Sequence, residues 1–223
     1  MDIDGACRTC AVMMENVRGF LEPVFSDYRE GLKAELKQLG YKTVWHLLNA
    51  STFGVPQLRP RVVIVAIEDD KSDLFDWENL PTRAPKTVGE TLVDLMSANG
   101  WRGAKTWAAR ANEIAPTIVG GSKKHGGPDL GPTRAKKAWA TLGVNGMTIA
   151  EEAPESNFAG MPRLTVPMVA RLQGFPDNWH FTGRKTAAYR QVGNAFPPPV
   201  AQVVAENIGI ALQRNSRPLR RTA

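Results

Sequence analysis

The sequence has 223 residues, of which 43% are hydrophobic and 22% are charged, enough for one large domain or a medium domain with a smaller one. This composition excludes a disordered, collagen-like or disulfide-stapled chain. The longest aliphatic run, residues 62–67, is far too short to cross a bilayer, and no basic segment followed by a long apolar one opens the chain. We therefore expect a cytoplasmic protein that makes no membrane contact.

The net charge of +6 is distributed unevenly. Residues 101–150 contain eight Lys and Arg residues and two acidic ones, whereas residues 1–100 contain eleven and fifteen. A basic, glycine-rich stretch between more neutral flanks is typical of a phosphate-binding surface and so favours nucleic acid as a partner. A solvated loop has the same composition, so charge alone leaves both interpretations open.

The first 70 residues follow the order strand, helix, strand, loop, strand that is typical of an α/β sheet. Residues 11–14 form an apolar run that predicts a buried strand, which delivers Glu15 and Asn16 at its C-terminal end. Apolar residues at helical spacing predict a helix over residues 28–39. Two further strands are predicted over residues 43–48 and 61–67.

The rest of the chain is less regular. Thr87 and Glu90 resemble a capping box at the start of a short helix. Residues 101–147 show no sustained period, which predicts a loop-rich insert or small domain. Two helices are predicted beyond it, one capped by Thr165 and an amphipathic one over residues 200–212.

Four motifs follow one another along the chain: Glu15-Asn16-Val17, then Gln57-x-Arg59-x-Arg61, then Arg171-Leu172-Gln173-Gly174-Phe175-Pro176, then Gln191-Val192-Gly193-Asn194-Ala195. In this order the chain resembles the DNA (cytosine-5)-methyltransferases over roughly residues 11–212. The resemblance implies an α/β fold, the C-terminal half of a Rossmann-like AdoMet-dependent methyltransferase sheet with a small loop-rich target recognition domain.

The resemblance also implies a division of the chain. Residues 11–70 would belong to the catalytic α/β domain, residues 71–162 to the target recognition domain, and residues 163–212 to the return into the catalytic domain and its closing helix. We expect residues 213–223, a basic tail, to be disordered.

The reaction of this family explains the residue types in the motifs. Methylation of cytosine at C5 requires the base to leave the duplex, a thiolate to add at C6, and stabilisation of the charge that builds up on the ring. Glu15 follows an apolar strand, which is expected to raise its pKa, and a protonated carboxyl group can hydrogen-bond N3 and the exocyclic amine. The alternative is a glutamate that caps the next segment.

Arg59 and Arg61 are the other candidate catalytic residues. Pro60 separates them, so in an extended segment both side chains project from the same side. The resemblance implies that they hold the flipped cytosine and the catalytic loop, for which a guanidinium fork is suited. Alternatively, Arg61 only begins a strand at the sheet edge.

The remaining candidates are binding residues. The resemblance implies that Asn194 contacts the cofactor, S-adenosyl-L-methionine, although a turn-forming Gly-Asn pair needs no ligand. Double-stranded DNA is the expected partner, with phosphate contacts in the basic insert. The candidate DNA-binding residues are Gln57, Lys123, Lys124, Arg134, Lys136 and Lys137.

The parts of the family that precede the Glu-Asn-Val motif are not found. Only 14 residues precede Glu15, and neither Cys7 nor Cys10 follows a proline, so neither is expected to be the nucleophile. No second cysteine pair follows for a zinc site, and we expect no metal. The sequence therefore predicts part of a DNA cytosine-5 methyltransferase of a restriction-modification system, either a split subunit with a separate N-terminal partner or a truncated product. The alternative is a catalytically dead DNA-binding remnant.

Overall fold

The computed structural model describes residues 9–120 and 128–214, so Cys7, Lys123, Lys124 and most of the basic tail lie outside the described residues. The chain divides into two compact units. We call them the sheet unit, which is Met1–Leu48, Pro60–Pro81 and Ala201–Ala223, and the helical unit, which is Asn49–Arg59 and Thr82–Val200.

The sheet unit is built on three strands, β1 (Ala11–Val17), β2 (Tyr41–Asn49) and β3 (Pro60–Glu68), in the spatial order β1, β3, β2. Because β3 is central, its six consecutive aliphatic residues are all buried, as expected of a strand covered on both faces. β1 runs antiparallel to β3. The strands lie where they were predicted, but β1 is partly exposed rather than buried.

Two helices accompany the sheet. α1 (Ser26–Gln38) confirms the predicted helix, yet it has no buried residue, and Tyr28 on its expected apolar face is 65% exposed. The last helix of the chain, which we label α7 (Pro198–Arg214), begins in the proline run, and Val204 and Ala211 are buried in the sheet unit. The apolar residues of α1 are therefore only partly covered, with Leu32 and Leu36 half-buried and Tyr28 exposed.

The helical unit is held by a core of apolar and aromatic side chains, among which Trp139 and Tyr189 are fully buried. Its helices are α2 (Val88–Met96), α3 (Ala104–Arg110), α4 (Thr133–Thr141), α5 (Val166–Leu172) and α6 (Lys185–Asn194). The predicted caps are present, since Thr87 and Glu90 form a capping box on α2 and Thr165 caps α5.

Two features of the helical unit carry no clear signal in the sequence. The stretch 101–147, which shows no sustained period, contains α3 and α4, which at seven and nine residues are too short to show a helical period clearly. Gly193 and Asn194 are the last two residues of α6. The compact units also divide at other residues than the predicted domains, since residues 71–81 lie in the sheet unit and residues 163–200 in the helical unit.

Across residues 9–120 and 128–214, no helix has the length and apolar character needed to span a membrane.

Gly89 in α2 is placed so that a side chain would disturb the helical unit. A methyl group there would lie 2.0 Å from the backbone oxygen of Ala108 in α3, whereas a methyl group at Gly31 in α1 meets nothing within 4 Å. We expect Gly89→Ala to destabilise the chain by about 1–3 kcal/mol, because backbone must shift to admit the methyl group. Gly31→Ala, the matched control, should be neutral or stabilising by up to about 1 kcal/mol. Urea unfolding followed by circular dichroism measures both, and equal effects of the two substitutions would contradict the close packing of α2 on α3.

Candidate active site

Glu15 and Arg61 meet as an ion pair on the sheet. In the antiparallel register Glu15 lies opposite Val63, and Arg61 lies opposite Val17, so the two charged residues are diagonal neighbours. A carboxylate oxygen of Glu15 is 2.6 Å from Nε of Arg61, and the two side chains are 25% and 11% exposed. The pair is thus largely shielded, while part of the Glu15 side chain still reaches the surface.

Burial lowers the pKa of the Arg61 guanidinium from its usual value, and the charge and hydrogen bond of Glu15 oppose that shift. The guanidinium also donates to the carbonyl oxygen of Pro60 at 2.8 Å. Arg61 is therefore a fixed cation beside Glu15, rather than the plain first residue of an edge strand. That Glu15 contacts the flipped base stays a prediction.

Arg59, two residues earlier, has a different environment. Its side chain is completely buried in the helical unit, and its guanidinium donates to three backbone carbonyls, those of Ile118 (2.5 Å), Gly193 (2.8 Å) and Ala195 (3.0 Å). The two guanidinium groups therefore have different partners within the chain. A contact of Arg59 with the flipped base stays a prediction.

Gln57 is buried next to Arg59 in sequence and takes part in the same polar network. Its amide nitrogen donates to Oε1 of Gln173 at 2.5 Å, and its own Oε1 accepts from the backbone N–H of Ile118 at 2.8 Å. Gln173 in turn donates to the carbonyl of Ala195 at 2.8 Å. We call Gln57, Arg59 and Gln173 the buried polar clamp. With no exposed surface, Gln57 has no atom free to meet DNA in this arrangement.

Asn194, the candidate cofactor ligand, ends α6 with an exposed side chain. Its amide lies against Gly120, because a methyl group at Gly120 would come within 2.1 Å of Oδ1 of Asn194. Gly193 is equally restricted, since a methyl group there would lie 2.5 Å from Cα of Gly120. Close backbone contact between Gly193 and Gly120 therefore sets the position of Asn194.

The candidate DNA-binding residues that the structure describes lie on α4. Arg134 and Lys137 are exposed, and neither forms an ion pair with any described residue. Lys136 is held by Asp129, with 2.7 Å between Nζ and Oδ2. Lys123 and Lys124 lie outside the described residues, so the predicted glycine-rich phosphate loop is not placed.

Asp129 also links α4 to the core of the helical unit. Its backbone carbonyl accepts a hydrogen bond from the hydroxyl of Tyr189 at 2.5 Å, and burial together with the nearby Asp129 charge raises the pKa of Tyr189. Sequence reasoning missed Tyr189, Asp129 and the clamp role of Gln173. Only Gln173 carried a signal, since it stands inside a recognised motif, whereas its partner Gln57 is 116 residues away.

The family of the chain follows from comparison with known proteins. The family model described as C-5 cytosine-specific DNA methylase matches residues 6–210. The chain therefore belongs to the C-5 cytosine-specific DNA methylase family.

The curated relatives are type II methyltransferases. The chain is 58% identical to type II methyltransferase M.NaeI of Lentzea aerocolonigenes over 91% of its own length and 49% of that protein. It is 46% identical to M.NgoMIV of Neisseria gonorrhoeae over 92% of its own length and 66% of that protein. The chain thus spans from about half to two thirds of the length of these relatives.

Solved structures share the fold at low identity. The Dnmt2 methyltransferase of S. pombe aligns over 92% of this chain and 67% of its own, with a TM-score of 0.54 and 18% identity. The methyltransferase EhMeth of Entamoeba histolytica aligns over 91% and 63%, with a TM-score of 0.56 and 13% identity. These likenesses concern the fold alone, and they show that the α/β arrangement is shared with solved methyltransferases.

Removal of the Gln57 amide tests the buried polar clamp. Gln57→Leu leaves the N–H of Ile118 and the side chain of Gln173 without their partner in a dry interior, where each such group costs about 1–3 kcal/mol. We expect the free energy of unfolding to fall by at least about 2 kcal/mol. Gln191→Leu is the control, because Gln191 is exposed and the carbonyl of the exposed Thr182 that its amide contacts can bond to water instead. The measurement is the urea midpoint of each variant, and a Gln57→Leu midpoint equal to that of Gln191→Leu would rule the clamp out.

Proposed function

We propose that these residues form the C-terminal part of an enzyme that transfers a methyl group from S-adenosyl-L-methionine to C5 of a flipped cytosine in a specific duplex DNA sequence, within a restriction-modification system. The observation that carries the proposal is the ion pair between Glu15 and Arg61. These two residues come from separate family motifs, and the sheet brings them to contact distance.

In this proposal Glu15 meets the extruded base through N3 and the exocyclic amine. Arg61 fixes the carboxyl group and offers its remaining N–H groups to an acceptor of the base or of a phosphate. Such preorganised hydrogen bonds act where charge develops on the ring, and each is worth on the order of 10²-fold in rate. Arg59 serves in a different way, by holding the carbonyls around Gly193 and Ala195 in place.

S-adenosyl-L-methionine supplies the methyl group when it is bound. Asn194 fits a contact with it, because its exposed amide makes no hydrogen bond to any described residue and is held beside Gly120. We assign Asn194 to the amino-acid end of the cofactor. The three strands of the sheet unit would then be one end of a longer Rossmann-like sheet.

The rest of that sheet would come from a segment that carries the AdoMet loop and the Pro-Cys nucleophile. Exposed apolar side chains support this in the sheet unit: Val17, Leu21, Val24, Phe25 and Tyr28 are between 43% and 78% exposed. Burial of such side chains stabilises by about 1.5–3 kcal/mol each. In the described chain β1 pairs only with β3, so one edge of β1 is available to another strand. A separate subunit or another part of the same protein would serve equally.

Methyl transfer with and without such a segment tests the proposal. The 223-residue chain alone is expected to transfer no label from labelled S-adenosyl-L-methionine to DNA, because neither of its cysteines follows a proline. Addition of the N-terminal half of M.NaeI should restore transfer.

In that mixture Glu15→Gln and Arg61→Ala should lower turnover on the order of 10²-fold while DNA affinity changes less. Glu35→Gln on the exposed face of α1 is the control. Transfer by the chain alone, or turnover within twofold for both variants, would refute the assignment.

A second candidate, a DNA-binding remnant without catalysis, is favoured by the exposed cations Arg134 and Lys137 on α4. It predicts that the chain binds DNA but that no N-terminal half restores transfer. Both candidates assign sequence recognition to residues 71–162 and phosphate contact to Arg134 and Lys137, with Lys123, Lys124 and Lys136 as further contacts.

Charge reversal on α4 tests this DNA surface. Arg134→Glu and Lys137→Glu should weaken binding to all duplex sequences alike and lower the slope of log affinity against log salt by roughly one unit per lost phosphate contact. The control is Lys33→Glu, an equal charge change on the exposed face of α1. Fluorescence anisotropy with a labelled duplex at several salt concentrations gives both quantities. Unchanged slopes in the α4 variants would remove phosphate contact from this helix.

A further inference from the structure

A cavity of about 810 Å³ opens on the helical unit, and every residue that lines it belongs to that unit. Three aromatic side chains form its walls. The indole N–H groups of Trp101 and Trp107 donate to the carbonyls of Phe158 (2.9 Å) and Leu142 (3.1 Å), which fixes both rings. Phe158 packs edge-on against Trp101, yet its side chain is still 37% exposed. The volume lies within the range of ligand-binding cavities.

The electrostatic character of this cavity is positive. Arg102 and Arg110 line it, one just before α3 and one at its end, and both are exposed. No Asp or Glu is among its lining residues, and neither arginine forms an ion pair with any residue in the described ranges. Hydroxyl and amide groups complete the polar part of the lining, from Thr106, Thr141, Ser156 and Asn157.

Two glycines keep the cavity open. A methyl group at Gly103 would lie 2.8 Å from the ring of Trp101. Gly143 has a backbone φ of +68°, a value that residues with a side chain rarely adopt. A methyl group there would also lie 3.1 Å from the ring of Trp107. The backbone itself therefore forms part of the wall, which allows a flat ligand to approach closely.

We propose that this cavity binds one nucleotide of a DNA strand that has left the base stack. The base packs against Phe158, and Arg102 and Arg110 bond to its phosphate, for which the guanidinium fork is suited. An aromatic wall accepts the face of any base, and the lack of a carboxylate in the lining avoids repulsion of the phosphate. A base that is stacked and paired in the duplex cannot offer its face to an aromatic ring and cannot enter the cavity. The inference rests on the proposed function only in taking DNA as the ligand.

Competition between two duplexes tests the cavity. One is a fully paired 20-mer duplex, and the other is the same duplex with one unpaired nucleotide in one strand. Because contact of an unstacked base with an aromatic ring adds on the order of tenfold in affinity, the chain should prefer the second duplex by about that factor. Arg102→Gln, Arg110→Gln and Phe158→Leu should each reduce the preference towards unity. Phe158→Leu keeps the backbone carbonyl that holds Trp101.

The matched control is Lys105→Gln. Lys105 lies on α3, as Arg110 does, but it is exposed and is not among the residues that line the cavity. The substitution should lower affinity for both duplexes equally and leave the preference unchanged. Equal affinity of the wild-type chain for the two duplexes would overturn the cavity assignment alone, as would a preference that survives in all three cavity variants. Failure of the wild-type chain to bind either duplex would overturn it together with the DNA-binding part of the proposed function.

Discussion

The guanidinium of Arg59 is the interaction on which the helical unit is organised. A buried cation is costly unless its N–H groups are satisfied, so the chain must supply acceptors in fixed positions. Here three backbone carbonyls do so, and they belong to segments that lie about 60 and 135 residues further along the chain. A guanidinium spreads five N–H donors over a planar fork and so reaches carbonyls in separate segments, whereas the three donors of a lysine ammonium all lie on one nitrogen atom. The charge thus fixes the course of the chain at Ile118 and at the end of α6.

The family motifs therefore divide by environment rather than by position in the sequence. Arg59 and Gln57 are buried and bonded to other parts of the helical unit, whereas Arg61 faces Glu15 on the sheet. Gly193 is determined by contact with the backbone of Gly120, and its neighbour Asn194 is the residue left at the surface. The last of these motifs thus joins a residue that is fixed by packing, Gly193, to a residue at the surface, Asn194. The precision of the second depends on the rigidity of the first.

The sequence alone predicted those features of the fold that depend on residues close together in the chain. The capping boxes of α2 and α5, the aliphatic run of β3 and the proline start of α7 each depend on residues within a few positions of one another. The features that the sequence did not predict depend on contacts between distant residues or lie in elements too short to show a pattern. The bond from Gln57 to Gln173 has no local signal, and α3 and α4 are too short for a period to stand out. The partial exposure of β1 follows from its edge position, which no pattern within the strand records.

The same topology sets the position of Glu15. Because β3 takes the centre of the sheet, its side chains are fully buried and its register is strongly specified. The antiparallel pairing with β3 fixes the register of β1, although the side chains of β1 are partly exposed to solvent. A slip of one residue would turn Glu15 to the opposite face and separate it from Arg61. The ion pair is thus placed by the aliphatic core of β3, so the accuracy of a polar site at the edge of the sheet derives from apolar packing at its centre.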